Sequence, residues 1–353
     1  MQWQNELTRL LKITYPIVQA PMLGVTTPAM VAAISNAGGL GSLPVGGLSP
    51  DQTLSLIRQT KSLTDKPFAV NLFVHQIPPI NPEEVEPMIQ FLEKLCSQHQ
   101  INYPKPNLDG ITLYSYQEQI SILLEENIPV VSFTFGILAE EIILALKEKG
   151  TVLIGTATCG QEAAILEQKG IDIITAQGME AGGHRGTFLD IKPLPLIGSF
   201  SLFTQLVESC QVPILAAGGI YNGKTIKAAF TLGAKGVQIG SAFIASNESL
   251  AIEAYKQALQ NAYETDSVLT NTFSGRWARG IQNKFMMEVE NSGLCIPDYP
   301  IQNALTTPLR GLAQKQNNKD FTTLWAGQSA SKAQRKPATE IFFQFIKETE
   351  ALD

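Results

Sequence analysis

A histidine flanked by glycines is the first feature of this 353-residue chain that could do chemistry. Residues 173–186 read IITAQGMEAGGHRG, so β-prone residues lead into a segment with four glycines and His184. This pattern predicts a buried strand and then a loop whose bare backbone lets a ligand approach closely. Because an imidazole titrates near neutral pH, His184 is the candidate catalytic residue. The alternative is a structural histidine that bonds a main-chain group.

Glycines also follow the seventh and eighth predicted strands. Gly218 and Gly219 end one of them, and Gly240 and Ser241 end the other, ahead of a helical turn. Main-chain N–H groups in such loops, together with a helix N-terminus, bind phosphate. The sequence therefore predicts a phosphate-bearing ligand, although glycine pairs also occur in ordinary turns.

Other strand ends carry side chains that suit a ligand. Ala20, Pro21 and Met22 end the first predicted strand and could pack under a flat ring. Asn71 ends the third and Gln177 the sixth, and each amide offers a donor and an acceptor. Packing alone explains the first group equally well, and a buried structural amide is the alternative for Asn71.

Several common kinds of site are absent from the sequence. There is no GxGxxG or GxxxxGK[ST] motif, so no separate dinucleotide or P-loop site is expected. Glu180 is the only acid near His184, which argues against a hydrolytic carboxylate pair. The four cysteines lack zinc-ligand spacing, so we expect buried free thiols and no metal: Cys96, Cys159, Cys210 and Cys295.

Composition narrows the classes of partner. A net charge of -6 without a basic cluster argues against nucleic acid. No apolar run reaches the roughly 18 residues that span a bilayer, and the first 12 residues suggest an amphipathic helix rather than a signal peptide. We therefore expect a cytoplasmic protein with no membrane partner, and the sequence leaves open whether it is a monomer or a homodimer.

The elements that must position these residues alternate along the chain. Eight short apolar runs predict strands at residues 17–20, 39–43, 68–72, 130–133, 151–156, 172–176, 213–217 and 236–239. Helical patterns lie between them at residues 28–37, 50–64, 83–98, 138–149, 161–169, 200–210 and 223–232. This alternation predicts an α/β fold with a parallel sheet and outer helices. A (β/α)8 TIM barrel is favoured over an open doubly wound sheet, because the strands number eight and polar or glycine residues follow their carboxyl ends.

The regular alternation stops near residue 246. We predict three segments: a barrel from 1–245, a small, mainly helical second domain from 246–310 over the barrel mouth, and a segment from 311–353 that braces the barrel. Helices are predicted at 250–263, 281–291, 302–314 and 337–348, and an extended piece at 267–272.

Five stretches give the chain a resemblance to a known family. They are QAPMxGVxTP from Gln19, SNAGGLGS from Ser35, PFxVNLF from Pro67, QGxEAGGHRG from Gln177 and AAGGI from Ala216. Together they resemble the nitronate monooxygenases, formerly called 2-nitropropane dioxygenases. FSGRxARG from Phe273 and WAGQ from Trp325 are similar to class I of that family.

The resemblance implies a TIM barrel that binds FMN and oxidises alkyl nitronates, notably propionate 3-nitronate, with dioxygen. It places His184 as the active-site histidine and Tyr299 on the substrate side. The products would be a carbonyl compound and nitrite or nitrate. The expected FMN contacts are Ala20, Pro21, Met22, Asn71, Gln177, Gly182, Gly183, Gly218, Gly219, Gln238, Ile239, Gly240 and Ser241.

Two alternative functions stay open at this point. An FMN-dependent enoyl-acyl-carrier-protein reductase shares the barrel but takes electrons from NAD(P)H. A non-catalytic flavin-binding barrel would result if His184 were structural. The sequence also does not decide whether His184 acts as a base or only stabilises an anion. Arg276, Trp277 and Arg279 could line the substrate entrance or fix the seam between domains.

Overall fold

The computed structural model describes residues 2–106 and 108–352. Its main feature is a parallel sheet of eight strands. Those strands are β1 (Ile17–Gln19), β2 (Gly41–Pro44), β3 (Phe68–Phe73), β4 (Val130–Thr134), β5 (Val152–Ala157), β6 (Ile173–Gln177), β8 (Ile214–Ala217) and β9 (Gly236–Ile239). Each predicted run overlaps one of them.

The sheet closes on itself. Its strand order is β1-β9-β8-β6-β5-β4-β3-β2, and a parallel bridge between Val18 and Leu40 joins the two ends. The Gln19 N–H donates to the Leu40 carbonyl oxygen over 2.9 Å, and the Leu40 N–H donates to Ile17 over 3.0 Å. The fold is therefore the predicted (β/α)8 TIM barrel, and its strand carboxyl ends share one mouth.

Helices surround the barrel and continue beyond it. They are α1 (Glu6–Leu11), α2 (Pro28–Asn36), α3 (Pro50–Leu63), α4 (Pro82–Gln98), α5 (Gln117–Glu125), α6 (Glu140–Glu148), α7 (Gly160–Gln168), α8 (Ser199–Ser209), α9 (Gly223–Thr231), α10 (Glu253–Asn261), α11 (Lys284–Asn291), α12 (Ile301–Lys315) and α13 (Ala338–Glu350). Side-chain caps fix several helix starts: Ser49 caps α3 and Asn222 caps α9. Helix α5 was not predicted from the sequence pattern. The pattern also placed the start of α11 at residue 281, whereas Asn283 caps that helix.

A second, antiparallel sheet lies outside the barrel. It contains β7 (Gly183–His184), β10 (Ser267–Thr270) and β11 (Ala278–Ile281) in the order β10-β11-β7. Only β10 was expected as extended chain. The sequence placed His184 in a loop, but its backbone pairs with Ala278 and makes a short strand. That pairing joins residues far apart in the chain, so no local pattern reports it.

The two largest of four hydrophobic clusters among the described residues lie in different parts of the fold. The larger core lies between the barrel strands and their helices and includes Phe342 and Phe345 of α13, which contacts α2 and α9. The smaller core packs α4 against α11 and α12 and includes Leu92 and Leu305. Helix α12 runs across the domain boundary expected at residue 310. The three-part division stays a prediction.

Candidate active site

The segment that carries His184 is held rigidly at the barrel mouth. The Gln177 side chain donates from Nε2 to the His184 carbonyl oxygen over 3.0 Å and accepts at Oε1 from the Gly186 N–H over 2.8 Å. The Arg185 side chain is buried and donates to the carbonyl oxygens of Gly178, over 2.7 Å, and Gln177, over 3.1 Å. These bonds fix the backbone on both sides of His184. They also show that both ends of the Gln177 amide serve the backbone; its contact with a cofactor stays a prediction.

Two carboxylates beside this segment have structural partners. Glu180 accepts from the Ser199 N–H, over 3.0 Å, and from the Ser199 hydroxyl, over 2.7 Å, at the start of α8. Glu162 is fully buried and accepts from the Thr187 hydroxyl, over 2.7 Å, and the Phe188 N–H, over 2.6 Å. Both carboxylates therefore hold backbone and hydroxyl groups of neighbouring segments in place.

Gly182 is needed for packing between two segments. A Cβ at this position would lie 2.4 Å from the Gly327 nitrogen and 2.5 Å from the Ala326 carbonyl carbon. The 326–327 segment therefore packs directly on the backbone that leads to His184. Gly183 has a φ of +74° and open space where a Cβ would be. The contacts of Gly182 and Gly183 with a cofactor stay predictions.

The glycine loops after β8 and β9 form the part of the rim next to the segment that follows β6. Gly218 and Gly219 have φ values of +110° and +70°, which a glycine adopts without strain. In the described part of the chain, the N–H groups of Gly219, Gly240 and Ser241 donate to no protein acceptor. Unpaired N–H groups at one rim suit an anion, so this rim fits the predicted phosphate site.

The remaining predicted cofactor contacts lie near that rim or inside the barrel. A Cβ built on Gly240 would lie 3.4 Å from the Ala20 Cβ and 3.7 Å from the Met22 Sδ, so the ends of β1 and β9 adjoin. Pro21 is partly exposed, as is Gln238, whose side chain makes no hydrogen bond within the described residues. Ile239 is fully buried in the barrel core. Asn71 is buried and donates to Ser132 over 3.0 Å.

Aromatic rings enclose the His184 imidazole. Ring centroids lie 5.4 Å away for Phe135, 5.5 Å for Trp325, 6.1 Å for Tyr299 and 6.2 Å for Phe73. Tyr299 is thus beside His184, as expected for a substrate-side residue. The other three rings were missed. Phe135 has a φ of +78°, a strained value for an aromatic residue that often marks a functional site.

A second histidine joins this group. The His75 ring lies 4.7 Å from the Tyr299 ring, and its Nδ1 is 3.1 Å from the Phe73 carbonyl oxygen. Burial lowers the His75 pKa, and the charge of Arg276 adds to that effect. The signal that could have identified His75 is its place two residues beyond the end of β3.

Ser274 is the direct partner of the catalytic candidate. Its buried hydroxyl lies 2.8 Å from His184 Nε2 and 3.1 Å from the Arg276 carbonyl oxygen. The Arg276 N–H also donates to Ser274 Oγ over 3.3 Å. The hydroxyl therefore holds the Nε2 edge of the imidazole in place. Because His184 and Ser274 are 90 positions apart, no local sequence pattern indicates this contact.

The sequence left the roles of Arg276, Trp277 and Arg279 open, and the structure separates the two arginines. Arg279 donates to the carbonyl oxygens of Met179, over 2.8 Å, and Ser267, over 2.5 Å, so it joins the two sheets. Arg276 lies at the site, because its guanidinium carbon is 4.1 Å from the centre of the Phe135 ring. Trp277 is 44% exposed.

The electrostatics keep the imidazole neutral. Burial lowers the pKa of His184 to about 3, and the positive charges of Arg276 and Arg310 contribute further. Burial also raises the pKa of Tyr299 to about 12, although the same two arginines oppose that rise. At neutral pH the site therefore holds a neutral imidazole, a neutral phenol and two guanidinium groups.

A flat pH dependence follows from the His184 pKa. A histidine with a pKa near 3 stays neutral between about pH 5 and pH 8, whereas an unperturbed one gains its proton as pH falls through 6.5. We expect kcat/KM with a pre-formed anionic substrate to show no ionisation of His184 in that window. Initial rates across it, for the wild type and His184→Asn, measure this. An inflection near 6.5 that disappears in the variant would contradict the assignment.

The described part of the chain contains neither a metal centre nor a membrane span. Among the residues that the structure describes, no three His, Cys, Asp or Glu side chains could hold a metal ion together. No helix in that same part of the chain has the length and apolarity needed to cross a membrane.

Comparisons with known proteins agree over nearly the whole chain. The family model described as nitronate monooxygenase matches residues 4–348. A probable nitronate monooxygenase of Staphylococcus saprophyticus is 43% identical over 99% of this chain and 98% of its own length. The solved structure of nitroalkane oxidase from Streptomyces ansochromogenes is 36% identical, has a TM-score of 0.89 and covers 99% of this chain and 100% of its own. FabK from Thermotoga maritima is 28% identical, with a TM-score of 0.77, and covers 99% and 97%.

Proposed function

The chain belongs to the nitronate monooxygenase family, and from that premise we propose that it oxidises alkyl nitronates with dioxygen, using FMN. Propionate 3-nitronate is the proposed test substrate, and the products are a carbonyl compound and nitrite or nitrate. The observation that carries the proposal is the placement of one neutral imidazole beside two guanidinium groups, at the same mouth as a rim of unpaired N–H groups.

The residues at the rim fit the phosphate end of FMN. Gly219, Gly240 and Ser241 would supply N–H donors, and no side chain at the two glycines blocks the approach. Ala20 and Met22 adjoin Gly240 and would contact the adjacent part of the cofactor. When bound, FMN supplies the redox chemistry, which no side chain of the protein can provide.

His184 would bind the nitronate rather than act on it as a charged acid. The Ser274 hydroxyl has one proton, which can be donated either to the Arg276 carbonyl oxygen, over 3.1 Å, or to His184 Nε2, over 2.8 Å. We propose that it is donated to His184 Nε2, the shorter contact, when the substrate is bound. In that arrangement Nδ1 carries the imidazole proton and donates it in a hydrogen bond to the anionic nitronate oxygen. If a neutral nitroalkane is supplied, an imidazole with a pKa this low is a weak base, which favours pre-formed nitronates as substrates.

Two arginines at the site favour an anionic substrate. Arg276 and Arg310 both act on His184 and Tyr299, so the site is positively charged before any ligand enters. An anionic substrate is stabilised by that charge. The surrounding rings of Phe135 and Trp325 exclude water and strengthen the interaction.

The enoyl-acyl-carrier-protein reductase alternative is less well supported. Curated relatives at 42–43% identity over nearly the whole chain carry the nitronate monooxygenase name, and FabK is more distant than nitroalkane oxidase by identity and by TM-score. A non-catalytic flavin-binding barrel does not explain why His184 is kept neutral and bonded to Ser274.

Oxygen consumption separates these functions. We expect the FMN-loaded protein to consume dioxygen when propionate 3-nitronate is added, without NADH or NADPH, because the nitronate supplies the electrons. An oxygen electrode measures this, with heat-denatured protein as the control. No uptake, together with NADH-driven reduction of a crotonyl thioester, would favour the reductase.

A cytoplasmic location also remains a proposal. It is supported by the four cysteines, all of which are free thiols, as expected in a reducing compartment. Burial was predicted for all four, but Cys210 is only half-buried and Cys295 is exposed.

A further inference from the structure

Arg310 is a positive charge at the site without a negative partner. It lies in α12, and its Nη2 donates back along the helix to the Asn303 carbonyl oxygen, over 3.0 Å, to Asn303 Oδ1, over 2.7 Å, and to Thr307 Oγ1, over 2.7 Å. Its Nε is buried and has no hydrogen-bond partner. No carboxylate pairs with Arg310 among the side chains that the structure describes in residues 2–106, 108 and 110–352.

The direction of the Arg310 side chain places its charge toward the mouth. Thr307 and Asn303 are about one and two turns closer to the start of α12, which begins two residues after Tyr299. The same charge acts on both Tyr299 and His184; burial lowers the pKa of Arg310, and Tyr299 opposes that effect. The guanidinium is therefore directed at the substrate side of the site.

Arg276 differs from Arg310 in this respect. Its guanidinium covers the Phe135 ring, donates to the Thr187 carbonyl oxygen and lies within the influence of the buried Glu162 carboxylate. Arg276 thus has an aromatic and a carbonyl partner, and the Glu162 charge acts to raise its pKa, although its Nε is buried without a hydrogen bond, as is that of Arg310. Arg310 has only the neutral oxygens of Asn303 and Thr307.

A half-buried guanidinium without a counter-charge is costly for a protein to keep. Removal of charge from water is unfavourable unless an opposite charge and further hydrogen bonds compensate. A planar guanidinium with free N–H groups matches a carboxylate, which it can bind through two hydrogen bonds. Since the nitronate is assigned to His184, the missing negative group belongs at another position of the same ligand.

We propose that Arg310 selects nitronates whose carbon chain ends in a carboxylate. The guanidinium binds that terminal carboxylate while His184 binds the nitronate, so the two ends of the substrate are held at once. This inference rests on the proposed function for the role of His184. On this proposal, a residue of α12, outside the barrel, determines which nitronates the protein prefers.

Matched substrates and variants test this assignment by kinetics. Arg310→Met removes the charge at similar length, Arg310→Lys retains it, and Lys315→Met removes an exposed charge from the end of the same helix as a control. For propionate 3-nitronate we expect Arg310→Met to lower kcat/KM by about 30-fold, mainly through KM, which is the scale of one charged hydrogen-bonded contact. For propyl-1-nitronate, which has the same chain length and no carboxylate, we expect less than about a 3-fold change. Arg310→Lys should recover part of the loss, and Lys315→Met should match the wild type.

A binding measurement tests the subsite without turnover. Succinate carries two anionic ends on a two-carbon chain, and butyrate has the same length with one anionic end. By calorimetry with the FMN-loaded protein, we expect succinate to bind about 10-fold more tightly than butyrate, and Arg310→Met to remove that preference. If nitronates are not oxidised but this preference depends on Arg310, the proposed reaction fails and the carboxylate subsite stands.

Three results would overturn the proposal. One is an equal loss of kcat/KM for both nitronates in Arg310→Met, which would indicate a general structural role. Another is retention of the succinate preference in that variant. The third is a loss of kcat/KM for propionate 3-nitronate in Lys315→Met as large as that in Arg310→Met, because this would indicate a general effect of positive charge on α12.

Discussion

The His184→Asn variant is expected to keep a wild-type FMN content and to lose most of its activity. We expect kcat/KM for propionate 3-nitronate to fall by about 10²–10⁴-fold, the usual contribution of a positioned group that stabilises charge or transfers a proton in the transition state. Asparagine is smaller and does not reproduce the imidazole contact with Ser274. Cofactor content is retained because the rim that fits the phosphate lies in the loops after β8 and β9.

His99→Asn is the matched control for that variant. His99 ends α4, and its ring lies 5.0 Å from Phe321 of the smaller core. Loss of this ring should affect stability but not turnover. Normal turnover in His184→Asn would show that the histidine is structural, and equal losses of activity in the two variants would point to a general effect on folding.

Gly219→Asp is expected to weaken FMN binding by about 100-fold or more, since a like-charge contact costs several kcal/mol. Gly219 has a φ of +70°, and aspartate and asparagine are the residues besides glycine that adopt this region most readily. A Cβ at Gly219 would lie 3.6 Å from the Glu180 Cβ, so the new carboxylate would add negative charge to the rim that is proposed to bind the phosphate. Fluorescence titration of the cofactor-free protein with FMN measures the change in Kd.

Gly219→Asn separates charge from shape in the same position. Asparagine has nearly the same size and backbone preference but no charge, so we expect less than about a 10-fold increase in Kd. A similar loss in both variants would mean that the added side chain blocks the site by its size. No loss in either would place the FMN phosphate elsewhere.

Most of the barrel could be predicted because its signals are local. Each strand is a short apolar run followed by a turn, and these patterns repeat along residues 17–239. Helix α5 was missed because the segment before it does not follow that repeat. The second sheet was missed because β7 contains two residues and exists only through its pairing with β11.

The site was predictable only where glycine or histidine marks a strand end. His184 and the loops at Gly219 and Gly240 were found in this way, and they do meet at one mouth. Gln177 and Gly182 also stand at a strand end, but the structure shows that one holds the backbone and the other permits two segments to pack.

The residues that surround His184 came from other parts of the chain. Ser274 and Trp325 follow the barrel in sequence and approach the imidazole only after the second sheet and the smaller core have formed. Arg310 lies on a helix whose amphipathic pattern explains its other residues, so nothing local distinguishes it from a surface arginine. Such contacts depend on tertiary structure, and the spacing of residues does not reveal them.

A crystal structure of the FMN-loaded protein with succinate tests the central claim most directly. We predict that the phosphate accepts hydrogen bonds from the N–H groups of Gly219, Gly240 and Ser241, and that the His184 imidazole faces a succinate carboxylate lying against the flavin ring. A phosphate bound away from this rim, or a His184 ring out of reach of any ligand on the flavin, would contradict the account.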